Sequence, residues 1–180
     1  TDQEVQRHQW AAFVESLSID EHWPGIQGIG FSIPILPEEK AAHESHIQSE
    51  GFLDYQIIPT GERDRYSAII YLEPFNWRNK RAFGYDMWSN AMRREAMSRA
   101  RDEGVAATSG IITLVQETNE DIQRGFLTYV PVYKGGVIPQ TVEERRETFL
   151  GWVYAPFRAA NLMKGILGSE DSDIVFSIFD

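Results

Sequence analysis

The amino-terminal segment carries apolar residues at a spacing of three and four positions. They are Trp10, Phe13, Val14 and Leu17. This spacing places them on one face of a helix whose other positions are polar. No capping residue precedes the segment, so the pattern predicts either a longer stalk helix that has been truncated or an ordinary frayed terminus. The segment His22-Trp23-Pro24-Gly25 ends the helix, which we therefore expect over residues 1–23.

Strand and helix patterns alternate over the next part of the chain. Strands are predicted near residues 28–35, 54–58, 65–72, 106–116 and 125–133. Pro37-Glu38-Glu39 begins one helix, which Gly51 ends. Ser89 can cap a second helix, for which Gly104 supplies the left-handed stop. The order of strand, strand, helix, strand, strand is typical of an antiparallel sheet with helices on one face, which predicts an α+β lobe.

The carboxy-terminal part continues this mixture of elements. Thr141-Val142-Glu143-Glu144 has the form of a capping box and begins a short helix. A strand over 149–157, a helix over 158–167 and a strand over 173–179 are predicted to follow. A second sheet made from these strands would need the early strand near 28–35, which would join the two lobes through non-local pairing.

Composition and charge exclude several classes of protein. The 180 residues are 42% hydrophobic, which suits one domain or two small lobes. A formal net charge of -10 would repel phosphate backbones, so we expect no nucleic-acid partner. No run approaches the roughly 20 apolar residues of a spanning helix, and residues 1–20 lack the regions of a signal peptide. The absence of cysteine fits either a reducing cytosol or a bacterial periplasm.

No group of residues is spaced as an active site or a metal centre. His43 and His46 share one face of a predicted helix, but no third ligand has a diagnostic spacing, which favours a solvated helix face. Gly25–Gly30 does not match the dinucleotide-binding fingerprint. Thr108–Gly110 lacks the partnered histidine of an activated nucleophile. We therefore expect no catalysis, no metal and no cofactor in this chain.

Asp86 has the most informative surroundings of the polar residues. It lies among the aromatic residues Phe83, Tyr85 and Trp88, immediately ahead of the predicted helix. Its carboxylate could cap that helix or point an acceptor into an apolar pocket. On the residue pattern alone, capping is favoured.

Several short motifs occur in a fixed order along residues 24–180. They are Tyr71–Pro74, Gly84–Met87, Arg99–Asp102, Leu114–Glu117, Gly125–Leu127, Pro131–Tyr133 and Gly151–Arg158. In this order they resemble the CHASE family of extracellular sensor domains. The resemblance implies a stalk helix over 1–23 followed by two stacked PAS-like lobes with antiparallel sheets. Residues 50–133 would form the membrane-distal lobe, and 134–180 with the strand near 28–35 would form the membrane-proximal lobe.

The resemblance also implies a cellular location and an output. Transmembrane helices on both sides of such a domain lead to a cytoplasmic histidine kinase or nucleotide cyclase. The chain is then expected to be the periplasmic or extracellular part of an inner-membrane receptor, with catalysis elsewhere. Its stalk is expected to form a homodimer with Trp10, Phe13 and Leu17 at the seam.

The resemblance further implies a small-molecule site in the distal lobe. In the plant cytokinin receptors, which belong to the same family, this lobe binds an adenine-type ligand. The family's ligand-anchoring aspartate matches Asp86, and a backbone position that meets the ligand matches Ala107-Thr108. A family threonine falls on Tyr129, whose bulk disfavours cytokinin itself. The cavity would be lined by Tyr66, Ile69, Tyr71, Phe83, Tyr129 and Val130, with Asp86 and Thr108 supplying polar groups.

Two alternatives remain open beside this interpretation. The same aromatic residues could form a packed core, and an exposed surface could bind another periplasmic protein without any small-molecule ligand. A contiguous apolar surface patch without an internal cavity would favour such an interaction module. An enzyme would require a convergent acid, base and nucleophile, which the sequence does not contain.

Overall fold

Six strands form the framework of the protein in a computed structural model, which describes residues 5–117 and 124–167. They are β1 (Ile29–Ile35), β2 (Tyr66–Glu73), β3 (Ala107–Thr108), β4 (Ile112–Thr113), β5 (Arg124–Tyr133) and β6 (Phe149–Arg158). All neighbours are antiparallel, in the order β2-β1-β6-β5-β3, and β4 also pairs with β5. Helices accompany this sheet, so the predicted α+β class is confirmed.

The helices begin and end largely where their capping residues predict. They are α1 (Arg7–Ser16), α2 (Ile19–His22), α3 (Lys40–Ser49), α4 (Ala91–Glu103), α5 (Val142–Thr148) and α6 (Ala159–Leu167). Gly104 ends α4 in the left-handed conformation, and Thr141 and Glu144 form the predicted capping box of α5. The cap of α4 is Asn90, whose side chain accepts a hydrogen bond from the Arg93 N–H. The prediction of Ser89 as this cap was therefore wrong by one residue.

Helix α4 covers one face of the sheet. Its residues Ala96, Met97 and Ala100 are fully buried, and the two alanines let the helix approach the strands closely. Trp152 of β6 fills the space beneath and donates a hydrogen bond from Nε1 to the Met97 carbonyl at 2.9 Å. Tyr129 of β5 packs in the same core. This core fixes the distance between α4 and the strands that carry the candidate site.

Helix α1 covers the opposite face, which corrects the prediction of helices on one face only. Trp10 and Val14 are buried, and they pack against Phe31 and Tyr71 of the sheet. Ser18 adopts a left-handed conformation with φ 45° and separates α1 from α2. The described part of residues 1–23 is therefore two short helices docked on the sheet, not one long stalk helix. Of the apolar residues that predicted a stalk, Trp10 and Val14 are buried against the sheet, whereas Phe13 is exposed.

The strands assigned to the two predicted lobes join in one sheet. β2, from the distal segment 50–133, pairs with β1 over its whole length. β5 of the same segment pairs with β6 from Gly125–Arg158 to Tyr133–Phe149. β1 also pairs with β6, which is the non-local link that the sequence predicted. Because this pairing satisfies both edges of β6, two separate PAS-like sheets are not seen within the described residues. The strand predicted at 173–179 lies outside them.

Candidate functional site

The backbone segment Gly84–Asp86 places Asp86 beside the free edge of β2. Its backbone exchanges hydrogen bonds with Ile69 of β2 on one side and with Ile58 on the other. Gly84 has φ 81°, and an added Cβ would lie 2.5 Å from the Gln56 carbonyl oxygen, so only glycine fits this crossing. Residues 54–58, predicted to be a strand, form only an isolated bridge at this point, because the Gly84–Asp86 segment occupies the edge of β2.

One oxygen of the Asp86 carboxylate is fully used by the backbone. Oδ1 accepts hydrogen bonds from the Ser67 N–H at 2.8 Å and from the Trp88 N–H at 3.0 Å. The second of these caps the short 3-10 turn Met87–Ser89, which precedes α4. The capping role favoured by the sequence is therefore present, although for this turn and not for α4 itself.

The other oxygen of Asp86 is buried without a hydrogen-bond donor from any residue that the structure describes. The nearest cationic atom is Nε of Arg63, 3.5 Å from Oδ2. Burial raises the pKa of Asp86, while the Ser67 N–H and the Arg63 guanidinium act in the opposite direction. An acceptor with spare capacity in a dry environment is a strong attachment point for a donor.

An open cleft of about 620 Å³ is connected to this carboxylate through Arg63, whereas the buried Asp86 is not itself among its lining residues. We call it the Asp86 cleft; it is lined by Pro37, Lys40, Gly61, Glu62, Arg63, Asp64 and Tyr66. Arg63 lines the cleft and contacts the Asp86 carboxylate, so it connects the two. Its Nη1 donates to the carbonyls of Pro59 and Gly61, at 3.1 and 3.3 Å. No periodic pattern in the sequence relates Arg63 to Asp86, so its place at the site is visible only in the tertiary structure.

Three of the predicted site residues lie near Asp86 or in the core behind it. Tyr66 lines the Asp86 cleft, and its hydroxyl donates to the Gly61 carbonyl at 2.9 Å. Ile69 and Tyr129 are buried in the core beneath α4, which agrees with the alternative of a packed core for these two residues. The Tyr129 hydroxyl contacts Sδ of Met87 at 3.6 Å, so the core reaches the residue next to Asp86.

The structure does not bring the predicted residues of β3 and outer β5 to Asp86. Ala107 is buried opposite Tyr129, but Thr108 is exposed and its hydroxyl lies 3.0 Å from that of Thr128. Val130 is 45% exposed. Successive residues of a strand point to opposite faces of the sheet. Because Ala107 and Tyr129 face the core, their neighbours Thr108 and Val130 face away from it.

Tyr71 and Phe83 belong to a different cluster, formed around Arg7 of helix α1. The Arg7 guanidinium lies 4.6 Å from the ring centre of Phe52, 4.9 Å from that of Tyr71 and 5.3 Å from that of Phe83. It also pairs with Glu50 and donates to the Ile70 carbonyl, both at 2.7 Å. Arg7 therefore attaches α1 to β2 through cation–π contacts and charged hydrogen bonds. Sequence spacing carries no signal of this cluster.

Replacing Arg7 with alanine is expected to loosen helix α1 from the sheet. Loss of the aromatic contacts and the ion pair should lower the free energy of unfolding by about 1–2 kcal/mol. Urea denaturation measures this loss, and hydrogen exchange should show faster exchange confined to α1 and its contacts. The exposed neighbour His8→Ala is the matched control and should change neither quantity. Equal effects of the two substitutions would contradict the attachment role of Arg7.

The two histidines of helix α3 differ in their surroundings. His43 is half-buried and hydrogen-bonds the Tyr55 hydroxyl at 2.8 Å, and burial lowers the pKa of His43. The prediction that His43 lies on a solvated helix face was therefore wrong, whereas His46 is exposed as predicted.

Among residues 5–117 and 124–167, no three His, Asp or Glu side chains cluster as metal ligands would. In the same ranges, no helix has the length and apolar character needed to cross a membrane.

Comparison with known proteins places these features in a family. The profile of the CHASE domain matches residues 3–180. The hybrid signal transduction histidine kinase A of Dictyostelium discoideum is 26% identical over 133 residues, which cover 71% of this chain and 6% of that protein. The chain thus spans a small part of the relative that it matches. CHASE domains are sensory domains of histidine kinases and cyclases. The present chain belongs to the CHASE-domain family.

Proposed function

We propose that this chain is the extracytoplasmic sensor domain of a transmembrane receptor and that it binds a small molecule at the Asp86 cleft. Membership of a sensory family supports the first part. The buried Oδ2 of Asp86, which no described residue supplies with a hydrogen-bond donor, carries the second. Burying a carboxylate oxygen without a donor is costly, and a ligand that supplies the donor removes this cost.

The surroundings of Asp86 define the chemistry of the proposed ligand. It must carry at least one N–H or O–H donor, or a positive charge, to bond Oδ2. Arg63 lies 3.5 Å from this oxygen and is otherwise held by two loop carbonyls, so it can turn toward the cleft when a ligand takes its place. Lys40 and Arg63 then offer donors to an acceptor on the same ligand. Amino acids, amides and nitrogen heterocycles satisfy these requirements.

The contacts of Asp86 also offer a route from ligand to helix α1. Oδ1 bonds the backbone of Ser67 in β2, and the backbone of Asp86 bridges to Ala68 of the same strand. Further along β2, the Ile70 carbonyl accepts from Arg7 and the Tyr71 hydroxyl donates to the Val5 carbonyl. A ligand that shifts the edge of β2 would therefore change the attachment of α1. Coupling of about 1–3 kcal/mol is the usual scale for such a link.

Helix α1 is also the element through which the proposed receptor would dimerise. Of the three residues predicted for the dimer seam, Trp10 is buried in the chain's own core and Leu17 is partly buried. Phe13 is 54% exposed and remains available to a second copy. Membrane-spanning helices on both sides of the domain, and a kinase or cyclase output beyond them, complete the proposed receptor.

A thermal-shift screen with the Asp86→Asn variant tests the proposed site. Asparagine keeps the shape and the Oδ1 acceptor but removes the charged Oδ2. Amino acids, adenine derivatives and small amides are expected to include a compound that stabilises the wild type. Its dissociation constant should rise at least about tenfold in Asp86→Asn, because a charged hydrogen bond is lost.

The exposed residue Asp54, which lies outside the Asp86 cleft, provides the matched control. Asp54→Asn makes the same change in charge and should leave the dissociation constant unaltered. A ligand that binds Asp86→Asn as tightly as the wild type would contradict the proposed site. Failure of every compound class to bind would favour the protein-interaction alternative.

A further inference from the structure

Three arginines from separate parts of the sequence line one cleft, although the chain has a formal net charge of -10. Arg65 precedes β2, Arg101 lies in the last turn of α4, and Arg146 lies in α5. This arginine cleft has a volume of about 540 Å³. It is distinct from the Asp86 cleft, and the turn that joins β1 to α3 contributes to both.

Two of the three arginines share a single carboxylate. Asp102 accepts from Nε of Arg101 at 2.7 Å and from Nη2 of Arg146 at 2.6 Å. The Arg146 and Arg101 guanidinium groups hold the pKa of Asp102 well below its usual range, so Asp102 stays ionised. Arg101 is only 9% exposed, so this cation is built into the wall of the cleft. The single negative charge of Asp102 therefore pairs with two positive charges, those of Arg101 and Arg146.

The arginine cleft retains donors and one positive charge after these pairings. Arg101 and Arg146 bond Asp102 through Nε and Nη2, which leaves Nη1 of each without a hydrogen bond to any described residue. Arg65 forms neither an ion pair nor a side-chain hydrogen bond within the described ranges. Glu39 is the carboxylate of the lining, and Asp102 lies outside the lining but pairs with two of its arginines, so Asp102 and Glu39 balance two of the three cations.

We propose that the arginine cleft binds a small organic carboxylate with an apolar body, at a second ligand site independent of the Asp86 cleft. The single excess positive charge matches a singly charged anion. Guanidinium groups pair with carboxylates through parallel N–H donors, which Arg65 has available. Leu36 and Phe149 supply the apolar part of the lining. These walls favour an organic carboxylate over inorganic phosphate, which has no apolar surface to bury.

A bound carboxylate would connect three separate elements at this cleft. Arg65 lies at the start of β2, whereas Arg101 and Arg146 lie on α4 and α5. The ligand would therefore hold the α4–α5 pair against the β1–β2 side of the sheet. Occupancy of this site would stabilise the chain by mass action in proportion to ligand concentration.

Isothermal titration calorimetry with three probes tests this site on the purified chain. Benzoate carries a carboxylate on an apolar ring, benzamide is its neutral counterpart, and inorganic phosphate is an anion without an apolar body. Benzoate is expected to bind at millimolar concentration or below, more tightly than phosphate, and benzamide is expected not to bind. Equal binding of benzoate and benzamide, or no binding of benzoate at millimolar concentration, would overturn the proposal.

Variants with the same change in charge distinguish binding at the arginine cleft from a response to the overall charge of the protein. Arg65→Gln and Arg146→Gln should each weaken benzoate binding about tenfold, the loss expected for one charge-assisted hydrogen bond. Arg81→Gln removes an exposed arginine outside the cleft and should leave binding unchanged. Glu39→Gln removes a repelling charge, keeps the acceptor that bonds the Leu36 N–H, and should tighten binding.

Two outcomes of these variant measurements would overturn the proposal of a separate carboxylate site. A loss in Arg81→Gln as large as that in Arg65→Gln would overturn the proposal, because it would show only a response to net charge. Asp86→Asn should bind benzoate as the wild type does, which keeps the two proposed sites distinguishable. Loss of benzoate binding in Asp86→Asn would show that the two clefts are not independent and would also overturn it.

Discussion

Replacing Trp152 with alanine is expected to lower the free energy of unfolding by about 3–5 kcal/mol. Trp152 is fully buried between β6 and α4, and its ring lies 4.4 Å from that of Phe149. Its removal leaves a large cavity and abolishes the hydrogen bond that the indole N–H donates to the Met97 carbonyl. Urea denaturation followed by circular dichroism measures the loss.

The exposed Trp77 provides the control for this substitution. Trp77 is 62% exposed, so Trp77→Ala should change the free energy of unfolding by no more than about 0.5 kcal/mol. Trp152→Phe refills part of the cavity but not the hydrogen bond, and should give a loss between the two. A small effect of Trp152→Ala would show that α4 does not depend on this contact to hold its place on the sheet.

Replacing Asp86 with alanine is expected to lower the free energy of unfolding by about 3 kcal/mol in the absence of any ligand, because the buried N–H of Ser67 and the part-buried N–H of Trp88 lose their acceptor. Asp86→Asn keeps this acceptor and should retain most of the stability. Urea denaturation of the two variants at neutral pH gives the comparison. A loss in Asp86→Asn equal to that in Asp86→Ala would assign the stabilisation to the charge and not to the two backbone bonds.

A comparison of the wild type with Asp86→Asn reports the raised pKa of Asp86. Burial favours the neutral carboxyl in the folded state, so the stabilising effect of protonation is fully present below the unfolded pKa of 3.8. This contribution is lost as the pH rises through the folded pKa. The free energy of unfolding of the wild type, measured relative to Asp86→Asn, should therefore decrease as the pH rises over this window. A relative increase would contradict the stated effect of burial.

Local patterns account for most of the elements and their ends. The predicted strands 28–35, 65–72, 125–133 and 149–157 correspond to β1, β2, β5 and β6 within one or two residues. Gly104 and the Thr141 capping box end and begin helices as expected. These features depend on residues within a few positions of one another, so their physical cause is contained in a short stretch of sequence.

Long-range packing decided where the candidate sites lie. The apolar face of the first helix is compatible with a dimer seam and with the chain's own core, and only the position of Phe31 and Tyr71 shows that the core takes it. Tyr129 and Val130 were grouped as cavity residues, but their adjacent positions in a strand put them on opposite faces of the sheet. Proximity in sequence gave no measure of proximity in space.

The sequence by itself determined the α+β class, the ends of most helices, the buried strands and membership of the CHASE family through short ordered motifs. The tertiary structure alone decided that β5 pairs with β6 so that one sheet forms, that Arg7 attaches α1 to β2, and that Arg63 lies between Asp86 and a cleft. It also decided that Arg65, Arg101 and Arg146 share a second cleft. Hydrophobic periodicity is a local property of the chain, whereas a binding site is an arrangement of residues that only folding brings together.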